Sequence, residues 1–183
     1  MDKAMQSLYR SYTKTDERIT EWMARYGIAL LRVSLGVVFL WFGALKFFPG
    51  LSPAQDLAAR TINILTFGFV PAGVSIFVLA AWECLIGIGL ITNLFMRATL
   101  LLLFVQMLGT VTPVLLFPNE VFARFPFAPT LEGQYIIKNI VLVSAGLVIG
   151  ATVRGGRVVA DPQAAGRAQN MGEQATLKRT AEA

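Results

Sequence analysis

The chain has no histidine and a single cysteine, and only 15% of its 183 residues are charged. Each shortage removes a class of function. Without histidine there is no commonest metal ligand, no usual haem ligand and no side chain that titrates unaided near physiological pH. With Cys84 alone, one chain can build no disulfide, CxxC redox pair or cysteine-rich metal site. Its place in an apolar run makes Cys84 a small packing residue. Chemistry is left to carboxylates, amines, guanidinium groups or a bound cofactor, and no metal site is expected. The charged fraction falls below the ~25% of an ordinary soluble domain, while 55% of residues are hydrophobic. The net charge of +5 does not call for nucleic acid. Arg and Lys crowd the two ends of the chain, which is a membrane-topology signal rather than a binding patch.

What the sequence does have is long apolar runs. Four are long enough to span a bilayer, which takes ~20 residues, and they lie at about 27–48, 72–91, 94–117 and 134–153. Pro49 and Gly50 end the first. In the next segment Ser52, Pro53 and Gln55 supply helix-start chemistry, and Asp56 and Arg60 stand four apart, where they can pair. A short interfacial helix follows from this, with Leu57, Ile62, Leu65 and Phe67 on its apolar face. Thr92 and Asn93 mark a tight turn, and residues 118–133 form a loop rich in proline and phenylalanine. Residues 1–26 read as a polar cytoplasmic segment, amphipathic over 16–26. The charged stretch ahead of the first apolar run, with no small-residue cleavage site, is not the pattern of a signal peptide. Residues 154–183 read as a disordered cytoplasmic tail. The expected fold is therefore all-α, a polytopic four-transmembrane-helix bundle in a lipid bilayer. Lysine and arginine are concentrated in both termini, so both are placed in the cytoplasm.

The residues of interest are the charges inside these spans. Each costs roughly 2.5–3.5 kcal/mol at mid-bilayer even on the lenient insertion scale, so each needs a reason. In the first span Arg32, Gly36, Phe39, Gly43 and Lys46 recur at steps of four and three, forming one helical stripe. Such a stripe should face protein, because lipid satisfies neither ion. The second span places Gly73, Ile76, Ala80, Glu83 and Gly87 on one face. The third offers Thr99, Leu103, Gln106, Thr110 and Pro113. The fourth offers Gln134, Lys138, Val141 and Ala145, with Asn139 beside Lys138 and Gly146 and Gly150 on a neighbouring face. The candidate cluster is thus Arg32, Lys46, Glu83, Gln106, Lys138 and Asn139. By depth, Arg32 is the expected partner of Glu83, and Lys46 shares an outer level with Lys138. Two readings stay open: a buried pair that fixes helix register, and a ligand pocket with Trp41 and Trp82 in its lining.

The run R-V-S-L-G-V-V-F-L-W-F-G-A-L-K-F-F-P (Arg32 to Pro49) resembles the first helix of the DoxX-like family of bacterial inner-membrane proteins, nearest its reactive-chlorine-resistance branch. Glu83 with Gly87 and Arg97, T-V-T-P from Thr110, and G-Q-Y-I-I-K-N from Gly133 are similar to the later helices of that family. The resemblance covers about 27–153 and implies a four-helix bundle in the inner membrane. In function it implies an auxiliary or small-molecule-binding component linked to redox or oxidant-stress defence. Two alternatives stand beside it. One is a quinone-linked oxidoreductase subunit working with a protein partner; the other is a small proton-coupled transporter using Glu83. No intrinsic cofactor is expected, and a quinone or small anion is the ligand class implied. The shorter loop between the first two spans departs from the enteric branch, and the lack of histidine and of a cysteine pair argues against an independent redox enzyme.

Overall fold

The computed structural model describes residues 3–52, 55–161, 163–164, 166–167, 170–171 and 174. Its helices run α1 Lys3–Leu45, α2 Gln55–Leu65, α3 Ala72–Thr92, α4 Met96–Val111, α5 Pro113–Leu116, α6 Pro118–Val121 and α7 Leu131–Thr152. Two very short strands, β1 Phe122–Arg124 and β2 Ala128–Pro129, pair antiparallel between α6 and α7. Four segments are long and apolar enough to cross a membrane: Tyr12–Leu45, Ala72–Thr92, Met96–Leu116 and Leu131–Thr152. The protein is an all-α, four-helix membrane bundle.

Contacts divide the chain into a unit of residues 30–154 and a second unit of 1–29 with 155–183. In the second unit, Ile19, Trp22 and Met23 of α1 are all about half exposed. Helix is continuous from Lys3 to Leu45, so the 16–26 stretch is part of α1. Pro53 and most of the tail beyond 161 lie outside the described residues. The described positions there, such as 163, 164, 166 and 167, are helical.

Within 30–154, residues from all four spans meet in one core: Leu35 and Phe39 of α1, Ile86 and Leu90 of α3, Leu100 and Leu103 of α4, and Ala145 and Ile149 of α7. Their large outward neighbours, including Phe77, Leu85, Leu101, Leu108, Ile140 and Leu147, are well exposed. That distribution is natural where the solvent is hydrocarbon and only polar or small faces need protein. Asn93 in the left-handed region (φ 61°) ends α3 and turns the chain into α4. Pro113 offers no N–H to continue α4, so the helical bonding of the third span is interrupted there and resumes as α5.

A second, smaller core closes the bundle at its α2 end. Leu57 of α2, Val121 of α6 and Ile136 of α7 are buried together, with Val114, Phe117 and Phe122 against them. Thr130 caps α7 by accepting from the Gly133 N–H at 3.2 Å. Gly133 itself lies so close to the Val121 carbonyl that any side chain would collide with it. The region expected as a plain loop is thus a folded cap.

Two expectations are corrected. Arg60 does not pair with Asp56: it forms a two-pronged bond to Glu120, Nη1 to Oε1 at 2.7 Å and Nη2 to Oε2 at 2.5 Å. Its guanidinium also stacks over the Phe117 ring, 5.1 Å from the centroid. The fourth span buries Gly133, Ile136, Ala145, Gly146 and Ile149, whereas Gln134, Lys138 and Val141 are exposed. Span four is apolar nearly all round, so periodicity could not choose its face; its small residues Gly146 and Ala145 did, by allowing α4 to approach.

Candidate functional site

The stripe of α1 lies along α3, running antiparallel to it, and every member meets a counterpart. A side chain at Gly36 would run into the Gly87 carbonyl at 2.9 Å and Leu90 Cβ at 3.0 Å. One at Gly43 would meet Glu83 Cβ at 2.8 Å and the Cys84 nitrogen at 3.0 Å. One at Gly87 would meet the Leu40 nitrogen at 2.6 Å. Three glycines thus set the two backbones in direct contact, and the charges at the stripe's ends are held against α3 by that approach.

At one end, Lys46 Nζ donates to Glu83 Oε2 at 2.6 Å. The same ammonium reaches back to the Phe42 carbonyl at 3.3 Å. Gln106 of α4 completes the group, its Nε2 donating to Glu83 Oε1 at 2.7 Å. Each carboxylate oxygen therefore has one donor, from two different helices. The side chains of Lys46 and Glu83 are 13% and 11% exposed, so the pair sits largely out of solvent. One polar atom stays unmatched: Gln106 Oε1 is buried and has no donor. Thr110 does not supply one, since its hydroxyl bonds back to the Gln106 carbonyl in its own helix at 3.0 Å. Nearby, Trp82 Nε1 ties α3 to the Leu102 carbonyl of α4 at 3.1 Å.

At the other end, Arg32 does not reach Glu83. Its Nη1 donates to the Leu90 carbonyl and, at 3.1 Å, to the Ile91 carbonyl, two of the last carbonyls of α3. These acceptors have no partner within their own helix, and a cation at a helix C-terminus also complements its dipole. Glu83's partner is Lys46; the pairing expected by depth is reversed. The reason lies in side-chain direction. Helical side chains tilt toward their own N-terminus, so the arm of Lys46 runs back along α1 to Glu83, and that of Arg32 runs away from Glu83.

Of the six candidates, the structure brings together Lys46, Glu83 and Gln106. Lys138 stands apart and exposed, its ammonium 5.8 Å from the centroid of the Tyr135 ring. Asn139 is half-buried. Trp41 is exposed on the outer face of α1, and Trp82 is half-buried between α3 and α4. No group of three or more potential metal-binding side chains occurs among the described residues. The sequence reading missed the Arg60–Glu120 clasp, whose partners are 60 residues apart with no local signal. There the Arg60 guanidinium holds the Glu120 carboxyl below the usual range, and Glu120 in turn raises Arg60.

The chemistry available at the three-residue site is that of a neutralised pair with one open acceptor. It offers hydrogen bonds in an apolar setting. Residues 27–117 match the family model described as DoxX. No curated protein and no solved structure matches the chain.

Proposed function

We propose that this multi-pass membrane protein, whose residues 27–117 match the DoxX family model, is a member of that family in which Lys46, Glu83 and Gln106 form a small-molecule-binding site. The protein then acts as an auxiliary, non-catalytic component linked to redox or oxidant defence. The observation that carries this is the buried, unmatched Gln106 Oε1. A buried acceptor left without a donor costs about 1–3 kcal/mol, and a pair that served only to fix register would not need it. Lys46 has three donors, of which the Glu83 and Phe42 bonds use two. An unmatched acceptor and a spare donor on two residues that bind the same Glu83 carboxylate suit a ring bearing hydroxyl or carbonyl groups. A quinol hydroxyl would donate to Gln106 Oε1, and a quinone carbonyl would accept from Lys46. A small anion fits less well, because Glu83 already neutralises Lys46. The distribution of lysine and arginine supports an inner-membrane location with both termini in the cytoplasm.

Purification in mild detergent followed by solvent extraction tests the reading. The wild-type protein should retain quinone near one per chain. Gln106→Leu and Lys46→Met should lose it, while Arg32→Met keeps it. Folded wild-type protein that carries no quinone, and binds none when a soluble quinol analogue is added, overturns the proposal. The transporter reading makes a different demand: in sealed vesicles, Glu83→Gln abolishes pH-coupled flux while the fold survives.

A further inference from the structure

A groove runs between α4 and α7 at the end of the bundle where α3 turns into α4. Leu100 and Phe104 form one wall, Gly150 and Ala151 the other, and Arg97 and Arg154 stand at its mouth. Gly150 adds no side chain to its wall; a Cβ there would make ordinary van der Waals contact with Leu100 Cδ1 at 3.5 Å. Both arginines are exposed. The ion pairs among the described residues, Lys46–Glu83 and Arg60–Glu120, involve neither. No acid can reach them from their own elements, because 84–119 and 133–160 contain no Asp or Glu.

The position of Arg97 sharpens the point. It lies in the first turn of α4, where the helix end is itself partly positive and acids, not bases, are stabilising. That turn has no acidic residue and no side-chain cap. Two guanidinium groups and a bare helix N-terminus therefore converge above an apolar trough. The trough runs about 10 Å along α4 from Arg97 to Phe104 at the usual helical rise.

We propose that this groove binds an anionic phospholipid, its phosphate held by Arg97 and Arg154 and the start of one acyl chain laid along Leu100, Phe104 and Gly150. Charge complementarity sets the headgroup, and the apolar lining of a shallow trough at a span's end sets the amphiphile. Zwitterionic lipid satisfies the trough but leaves the extra positive charge unmatched. The site is separate from the Lys46–Glu83–Gln106 cluster and does not rest on the function proposed for it.

The full chain in detergent, titrated with phosphatidylglycerol and read by native mass spectrometry and by melting temperature, provides the test. Phosphatidylglycerol should bind and raise Tm more than phosphatidylcholine does. Affinity should fall about fivefold for each guanidinium removed in Arg97→Gln and Arg154→Gln. Ala151→Trp, which fills the exposed trough and keeps both charges, should weaken binding comparably, and Arg124→Gln should not. Three results overturn the proposal: equal binding by the double arginine variant, an unchanged Ala151→Trp, or the same Tm gain from inorganic phosphate alone.

Discussion

Replacing Lys46 by methionine isolates the interaction at the centre of the bundle. It keeps the apolar stem and removes the ammonium that lies 2.6 Å from Glu83. Glu83 then keeps only its bond from Gln106, in a residue that is 8% exposed. Stranding one ion of a buried pair costs about 3–5 kcal/mol. The slight exposure of both side chains and the surviving Gln106 bond put this case near the lower end, at about 3 kcal/mol. Glu83→Gln strands the lysine instead, but a flexible ammonium at the end of α1 can swing toward the interface, so its cost is about 1–2 kcal/mol. The double variant has no stranded charge and retains an amide oxygen for Gln106, so it should cost only about 1 kcal/mol. The two changes therefore couple strongly, by about 3–4 kcal/mol, at or just above the upper limit of the ~0.5–3 kcal/mol range seen for touching residues. Unfolding in mixed micelles, measured for the four proteins, gives the coupling directly. Additive costs, with a coupling below about 0.5 kcal/mol, would refute the pairing. They would mean that Lys46 spends its time in the interface and that α1 and α3 are held by their glycines alone.

Two further changes probe the frame around that pair. Gly43→Ala places a methyl group 2.8 Å from Glu83 Cβ and 3.0 Å from the Cys84 nitrogen. The backbones must separate, at a cost of about 1–3 kcal/mol, and the same micelle unfolding assay should show Gly73→Ala, which meets open space, costing nothing. The Arg60–Glu120 clasp should respond to pH in one direction. Its carboxyl is held below the ordinary range by Arg60, so its contribution is complete above the unfolded carboxylate pKa. It is lost as pH falls through the lower folded value. Protection factors of α2 amides, corrected for the intrinsic pH dependence of exchange, should fall over that acid window in the wild type and show no such step in Glu120→Gln. High salt should also weaken the clasp, because both partners are about half exposed.

The four spans, the α2 helix and the Asn93 turn were all legible in the sequence, because length, hydropathy and a left-handed stop are local properties. The α1 stripe was legible as well: a charge–glycine–charge pattern with one period admits one packed face. The α3 and α4 faces followed for the same reason, since Glu83 is the one charge on α3 and Gln106 the one amide on α4. Span four was not, because Gln134 and Lys138 lie in its first turns, near enough to water to need no partner. Their polarity marked the membrane edge rather than the bundle interior. The Arg60–Glu120 clasp was out of reach for another reason: an arginine with an acid at four residues' distance offers a local partner, and only the tertiary fold could divert it.

Arg32 carries the most direct test of the direction rule that reversed the pairing. Its guanidinium serves the Leu90 and Ile91 carbonyls, which otherwise have no donor within their own helix. Hydrogen bonds from a charged donor contribute about 1.5–3 kcal/mol. The α3–α4 turn is exposed at Asn93 and Leu94, so water can replace part of the loss, and Arg32→Met should cost about 1.5 kcal/mol. The location of the damage is more diagnostic than its size. If Arg32 caps α3, hydrogen exchange should accelerate in the last turn, around Leu90 to Thr92, and stay unchanged around Glu83. Arg32→Lys should restore part of that protection, because an ammonium on the same tilt can still reach one carbonyl. Faster exchange centred on Glu83, with the end of α3 untouched, would instead return Arg32 to the middle of the membrane and leave Lys46 free to seek the interface.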